Sequence, residues 1–474
     1  MDLILNDNEV TFKELEQYIF KMMCVQAVLS TKAILEEYDK FLKESRDKKK
    51  YRHKGLRKTT IKTIYGEVEY SRTIYECKGE DGLKNYVYLL DERIGLDSIG
   101  LVSRNLAEHI ASNVTELSYR ASAKNISEMT GQTISAMGAW NVIQVLGAKV
   151  CEDEKRLVEA HKEGLIQGEN ITPVLFEELD GVVLSMQRSG NKGKKAKKEM
   201  KLSLAYEGWE ERGKNRFGLV GKVITAGFSD SKEFQACREA AIASEYNLDE
   251  THLRFLNGDS APWIRNTVVD KDTVFQLDPY HKNRKIKVRI PHKKAVGDIH
   301  YYLRKRDIEG LFDYLEIYKN SLSDDDEIEN AEKLIAYFER NRAGLLPYQA
   351  RGLEIPESPK GLLQRNMGTI ENHVWSVIAK RMKNNHTSWS KRGGNNLAKI
   401  LAKKCSGKLN EVFEKIYIPE AVPVIEEDLE IKIPLRELRK RVGKGHEYPQ
   451  KGHLVGLEMS KKGDGMLLKS LAGL

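Results

Sequence analysis

Three carboxylates, far apart in the chain, occupy positions where an acid is awkward unless it has chemistry to do. Asp180 falls inside ITPVLFEELDGVVLSMQ, where strand alternation gives it the same face as Phe176, Val182, Leu184 and Met186. A charge on so apolar a face costs free energy unless something pairs with it. Glu178 shares that face, so this end of the strand is expected to open to water. An Asp-Gly hairpin turn is the alternative. The apolar run continues through Val182, Val183 and Leu184, which favours a carboxylate in mid-strand. Asp259 ends a second run, HLRFLNGD, and taken alone is best read as a helix cap, with Pro262 in the turn that follows. Glu371, in GTIENHVWSVIAKRM, suits the first turn of a helix capped by Thr369. It also stands in line with Trp375, Ile378 and Met382, on the stripe expected to pack inward, where a merely solvating glutamate has no place.

Together these acids have an order: one in a first strand, one at the tip of a fourth, one on a late helix. In a ribonuclease-H-like sheet the first and fourth strands are neighbours, so two acids would meet at one edge and the late helix would bring the third. Three carboxylates around one point repel unless they hold hard cations, and oxygen ligands suit Mg2+ or Mn2+. Two such ions activate a water or a 3'-hydroxyl and stabilise the leaving oxygen at phosphorus.

The rest of the chain has to position those acids. Its 474 residues exceed one ordinary core, and its 31% charged and 40% hydrophobic residues describe a soluble, well-charged protein. No apolar run approaches the roughly eighteen residues needed to span a bilayer, and MDLILNDNEV lacks signal-peptide architecture. Cys24, Cys77, Cys151, Cys237 and Cys405 form no CxxC pair, which argues against a zinc ribbon or disulfide framework and for a reducing cytoplasm. Residues 9–45 read as a charged amphipathic helix, or two, ending in a basic run. TTIKTIYGEVEYSRTIYEC and NYVYLLDE read as a β-hairpin unit turning at Gly66. In SYRASAKNISEMTGQTISAMGAWNVIQ a Thr130–Gly131 break separates two helices, the second with Ile134, Met137 and Trp140 at core spacing. That is the outline of a helix-turn-helix, or of any helical hairpin. From 171 the strands of Asp180, EMKLSLAYEGW and GLVGKVITAGF, the helix SKEFQACREAAIASEY, then HLRFLNGD and TVFQLDPYH give an α/β order with a mixed sheet. Residues 297–350 read as helical, and LEIPESPKG as a linker to the helix of Glu371.

LDGVVL, FLNGDSAPWI, FQLDPYHKNRKI and NMGTIENHVWSVIAKRMKNNHTSWSKRGGNNLAKIL resemble the DDE transposases of bacterial insertion sequences. The chain is most similar to the ISLre type, with its relatives in an uncharacterised protein family, and more loosely to the mutator-like group. The resemblance covers nearly the whole chain, although the tail after about 440 has no matching motif. It implies Asp180, Asp259 and Glu371 as a catalytic triad holding two Mg2+ or Mn2+ ions. It also implies an all-helical insertion in the 112 residues (371 − 259) between the last two acids. An Asp-x-x-His motif maps onto Asp278 and His281 as auxiliaries near the active site. From the residues alone, His281 is a structural or DNA-near histidine.

The fold expected is multidomain α/β plus α. A helical and β-hairpin region (1–96) and a helix-turn-helix-like DNA-binding region (97–165) precede a ribonuclease-H-like mixed-sheet core (166–296). An all-helical insertion (297–355), the last part of the core with the catalytic glutamate (356–410) and a C-terminal region (411–474) follow. Three basic runs flank the proposed ligands: 188–201, 281–294 and 379–404, the last with eight Lys or Arg and no acid. A charge run is usually a solvated face, but three around one candidate centre fit a polyanion laid across it. Candidate DNA contacts are Lys194, Lys195, Lys197, Lys198, Arg284, Lys285, Lys380, Arg381, Lys383, Lys391 and Arg392. Trp389 is a candidate for base stacking, core packing being the commoner fate of a tryptophan. The function expected is that of a transposase acting on terminal inverted repeats and target DNA. It would work as a homodimer or higher oligomer, without a membrane, in the cytoplasm on the nucleoid. The alternative is a domesticated, non-catalytic DNA-binding descendant.

Overall fold

The computed structural model describes residues 11–79, 82–95, 99–100, 102–187, 196–267, 272–359, 361–383 and 387–416. Lys194, Lys195 and the C-terminal region from 417 lie outside them. The chain forms two compact units, one reaching to Leu146 and resuming at Asn410, the other Gly147–Leu409.

In the first unit, α1 (Phe12–Ser45) opens with a capping box, Thr11 accepting from the Glu14 amide and Glu14 from the Thr11 amide. It lies on an antiparallel sheet, β1 (Arg52–Thr63), β2 (Gly66–Lys78) and β3 (Lys84–Val87), and packs Val28, Leu35 and Tyr38 among Val68, Tyr70 and Tyr75. The turn at Gly66 falls where expected. β1, however, starts inside the basic run, whose charge hides the strand. Contrary to the sequence reading, α1 is long and apolar enough to cross a membrane by composition alone. Here one of its faces covers the sheet. α2 (Leu89–Ile94), α3 (Arg104–Glu116), α4 (Tyr119–Met129) and α5 (Ala136–Lys162) follow, α5 leaving this unit after Leu146. The break between α4 and α5 comes at Thr130–Gly131. A Cβ on Gly131 would sit 2.5 Å from the Tyr65 carbonyl oxygen, so only glycine lets this connection lie on the β1–β2 turn. The buried face of α5 is Ala139, Val142, Ile143 and Leu146. Met137 is exposed and Trp140 half-buried, because the helix starts beyond Ile134 and its phase differs from the one read off the sequence.

The second unit is a mixed α/β fold: β4 (Val174–Ser185), β5 (Lys197–Tyr206), β6 (Gly208–Gly213), β7 (Arg216–Val220), β8 (Val223–Gly227), α6 (Ser231–Ala243), β9 (Leu253–Gly258), α7 (Pro262–Arg265) and β10 (Thr273–Leu277). Five strands make one sheet in the order β10-β9-β4-β5-β8. β4–β5 and β5–β8 are antiparallel, β4–β9 and β9–β10 parallel. The first and fourth strands of this sheet are neighbours, as expected. β4 runs unbroken through Asp180–Gly181, which excludes the turn alternative. GLVGKVITAGF is two strands, because Gly221 at φ +67° breaks β7 from β8, and β6–β7 form a separate hairpin.

After β10 come α8 (Pro279–Arg289), α9 (Lys293–Lys305), α10 (Ile308–Asn320) and α11 (Asp325–Arg340), packed around Ile286, Ile299, Leu311, Leu315, Leu334 and Phe338. The helical run starts at Pro279, not 297. Only Ile286 of α8 is deeply buried, so its basic sequence shows almost no apolar period. α12 (Ile370–His373) continues as a π-helical stretch, Val374–Ala379, and α13 (Lys380–Met382). α14 (Lys391–Cys405) packs on β8, and α15 (Leu409–Ile416) closes the described chain. The π stretch adds a residue to its turn and slips the helical phase. Ile378 and Met382 are therefore buried, but Trp375 is 55% exposed and does not join the inward stripe.

Trp389 is a core residue and not a base-stacking surface: it is 8% exposed, its Nε1 donates to the Met382 carbonyl at 2.8 Å, and its backbone bridges the end of β4. Trp389→Phe is expected to lower stability by about 1 kcal/mol through the lost Nε1 hydrogen bond, the Met382 carbonyl keeping Thr387 Oγ1 as its other donor, and to leave DNA affinity unchanged. Chemical denaturation and a DNA titration on the same protein check both.

Candidate active site

The parallel registers place the acids. β4 and β9 pair as Glu178↔Asn257 and Leu179↔Gly258, and β9 and β10 as Asn257↔Gln276 and Gly258↔Leu277. One step further along all three strands stand Asp180, Asp259 and Asp278. In-register parallel neighbours share a face, so the sheet carries two polar rungs. Glu178, Asn257 and Gln276 form the lower one; the three aspartates lie above it. Beneath both is an aromatic floor in which Phe176 meets Tyr206, Trp209, Phe255 and Tyr348 with ring centroids 5.1–5.7 Å apart.

His281, in the first turn of α8, reaches across the upper rung. One ligand atom from each of Asp180, Asp259 and His281 lies within 4.8 Å of the others. His281 Nε2 is 4.0 Å from Asp180 Oδ1 and 3.5 Å from Glu371 Oε1, so the imidazole stands amid the three acids. Its Nδ1 lies 3.2 Å from Asp278 Oδ2, which also accepts the His281 amide as the N-cap of α8. The sequence reading ranked His281 as an auxiliary. The geometry puts its ring at the centre of the cluster.

Asp259 does not cap α7, whose N-cap is Ala261 without a side-chain bond. Its Oδ1 accepts the Ala261 amide at 2.9 Å in an Asx turn. The next residue, Ser260, has φ +68°, an uncommon conformation for a side-chain-bearing residue. α11 braces that turn through Tyr337 Oη to the Asp259 carbonyl and Asn341 Nδ2 to Ser260 Oγ, each at 3.4 Å. Glu371 is half-buried and Thr369 makes no side-chain cap to its own helix.

Burial pushes the Asp180 carboxyl up to about 7, with Glu371 and Asp259 adding to the rise while His281 and the Gly181 amide oppose it. Burial also raises Glu371, against His281, Arg284 and Lys383. For His281 burial works against the charge, but Asp278, Asp180 and Asp259 hold its pKa above the ordinary value. Burial opposes the Asp278 carboxylate too, yet bonds from His281 and Asn257 keep it below the ordinary range.

Of the candidate DNA contacts, Lys197, Arg284, Lys285, Lys380, Lys383, Lys391 and Arg392 are exposed and Lys198 half-buried. Arg381 is buried, its guanidinium 5.6 Å from the Trp389 ring centroid, and belongs to packing. Burial and then Lys391 and Lys201 press the Lys198 pKa down, so like charges crowd together there. Asn257 carries no signal in the sequence, and Glu178 and Trp375 are read there only as solvent-facing and core residues. Glu178 was expected to face water; it is wholly buried.

The fold and site thus define a mixed α/β protein with a part-buried, acid-rich centre that includes one histidine. Residues 5–415 match the uncharacterised protein family UPF0236, and the chain belongs to that family. A UPF0236 protein of Caldanaerobacter subterraneus subsp. tengcongensis is 26% identical over 389 residues, covering 80% of this chain and 76% of its own. Another from the same organism, whose name joins eleven designations, is 25% identical over 418 residues, 87% of this chain and 81% of its own. Among solved structures, the Drosophila P element transposase strand transfer complex is loosely similar. It matches at 8% identity and a TM-score of 0.22 over 69% of this chain and 85% of its own.

Proposed function

We propose that the chain is the DDE transposase of a bacterial insertion sequence, of the ISLre type. In this reading it binds the terminal inverted repeats, hydrolyses phosphodiester bonds at the element ends with divalent cations, and joins the freed 3'-hydroxyl to target DNA. The observation that carries it is Asp180 and Asp259, each one step beyond the last registered pair of two adjacent parallel strands and close enough to share an ion, met by Glu371 from α12 beside His281. Two features support the reading: the first and fourth strands of the mixed sheet are parallel neighbours, and four helices, α8–α11, fill Pro279–Arg340 between the last two acids. The multiplicity in the second relative's name is what a mobile sequence in many copies would produce.

The donor set fits Mg2+ or Mn2+: carboxylate oxygens dominate, and one imidazole nitrogen is tolerated better by Mn2+. Asp180, Asp259 and Glu371 would hold the cations, which when bound supply Lewis acidity at phosphorus. Asp278 orients His281, keeping Nδ1 on the carboxylate and Nε2 on the cluster. Arg284 and Lys383 act electrostatically on Glu371, so positive charge borders that acid as a phosphate backbone requires. The α4–α5 pair of the first unit would read the repeats, with a dimer bringing two ends together.

The test is incubation with Mg2+ or Mn2+ and DNA carrying the element's own ends. Nicks with 3'-hydroxyl termini at those ends are expected. Specific binding without any cleavage would leave a DNA-binding protein and remove the transposase reading. Trp375, four residues beyond Glu371 and 55% exposed, is an aromatic free to stack on a base. Trp375→Ala is expected to weaken end binding by roughly 1–3 kcal/mol with no loss of thermal stability, read by fluorescence anisotropy and a melting curve.

A further inference from the structure

We infer that Glu178 is a positioning residue: its buried carboxylate clamps the N-terminus of the Glu371 helix onto β4 and so fixes where Glu371 meets Asp180 and Asp259. The inference rests on the function proposed above and deepens it by naming what assembles the site.

Six donors converge on this side chain. Oε2 accepts the backbone amides of Gly368, Thr369 and Ile370 at 3.0, 2.9 and 3.1 Å, and Asn257 Nδ2 at 3.0 Å. Oε1 accepts from Tyr206 Oη at 2.6 Å and Thr369 Oγ1 at 3.1 Å. Three orphan amides of a helix start are thereby satisfied by a residue 190–192 positions away in sequence. A local solution was at hand, since Thr369 occupies the N-cap and threonine is a good capping residue. Its hydroxyl instead turns to Glu178. A buried carboxylate is a costly way to cap a helix, so the clamp does something a local cap cannot: it ties α12 to the sheet.

The same polar rung reaches the opposite wall of the site. Asn257 Nδ2 donates at once to Glu178 Oε2 and, at 2.9 Å, to Asp278 Oδ1, and Asp278 holds His281. Gly368, at φ +119°, lies against α8, where an added Cβ would be 3.4 Å from Pro279 Cδ. Glu178 and Asn257 therefore join the two elements that deliver Glu371 and His281. Asp180, two residues along β4 on the same face, receives both.

Glu178→Gln and Glu178→Asp test the clamp. Glutamine keeps an oxygen for the three amides and can turn its amide nitrogen to the Tyr206 and Thr369 hydroxyls. Aspartate keeps the charge but falls one methylene short. Three readouts are taken on full-length protein: amide hydrogen exchange over 368–370, Mn2+ binding by electron paramagnetic resonance, and kcat and KM for end cleavage. For Glu178→Asp, faster exchange, Mn2+ affinity and kcat each down roughly 10–100-fold, and an unchanged KM for DNA are expected. Glu178→Gln is expected to retain most of both. Wild-type Mn2+ affinity and kcat in Glu178→Asp would overturn the inference while leaving the proposed function standing. A wild-type protein that neither binds Mn2+ nor cleaves would overturn the function itself, and the clamp with it. If Glu178→Asp does not fold, Tyr206→Phe and Thr369→Ala each remove one donor and must shift exchange, Mn2+ affinity and kcat in the same direction; no shift in either counts against the clamp.

Discussion

Asp259→Asn is expected to lower end cleavage by about 10^3-fold or more, equivalent to about 4 kcal/mol of barrier, with fold and DNA binding retained. The substitution is unusually clean at this position. The structural duty of Asp259 is to accept the Ala261 amide in an Asx turn, and the asparagine carbonyl oxygen accepts the same bond. What asparagine loses is the negative charge facing Asp180 and His281. If Asp259 served only to shape the turn between β9 and α7, the variant would cleave like the wild type. The paired measurement is initial cleavage rate and DNA affinity at one salt concentration, because affinity dominated by phosphate contacts changes steeply with salt.

The second large effect is a pH dependence of stability in the metal-free protein. Asp180 holds a proton up to about pH 7 when folded, whereas an ordinary aspartate loses it near 3.8. Between those values the folded state binds the extra proton, so stability falls as pH rises through the window. The shift corresponds to about 4 kcal/mol when complete. His281 acts in the same sense: its folded pKa is raised, so its contribution is present below the ordinary histidine value and is lost as pH climbs through the raised one. Asp278 works the other way but in a lower range, since its depressed pKa matters only as pH falls below the usual aspartate value. Wild-type protein in EDTA is therefore expected to be less stable at pH 8 than at pH 5.5. Asp180→Asn should remove most of the difference. Saturating Mn2+ at pH 8 should restore stability to the wild type, by about 2.7 kcal/mol at a hundredfold excess over Kd, and not to the variant. Denaturant midpoints at the two pH values, with and without Mn2+, measure all of this. Equal pH slopes in wild type and Asp180→Asn would show that the buried carboxyl carries no such proton.

Much of the site was legible because strand alternation and register are local rules. The apolar run through Leu184 read Asp180 as a mid-strand residue, and the structure keeps β4 straight through it. The neighbouring first and fourth strands then bring Asp259, just past the end of β9, close to Asp180. What stayed hidden depends on partners remote in sequence. Glu178 looked solvent-facing because its six donors lie on β5, β9 and the start of α12. Trp375 looked inward because a 3.6-residue period was assumed, and nothing in GTIENHVWSVIAKRM announces the π-helical slip. Met137 misled for a related reason, the helix beginning later than its apolar spacing implied. α8 was read as a basic, DNA-facing run and not as a helix, because Ile286 alone anchors it deeply and leaves almost no apolar period. Charge hides short elements whose burial falls on one or two residues.

The most direct test is to soak crystals of the protein with Mn2+ at pH 8 and record anomalous diffraction at the manganese edge. The account predicts a peak bonded to carboxylate oxygens of Asp180 and Asp259, within reach of Glu371, that vanishes in crystals of Asp259→Asn. Manganese bound elsewhere, or a peak of the same height at this position in the variant, would contradict it.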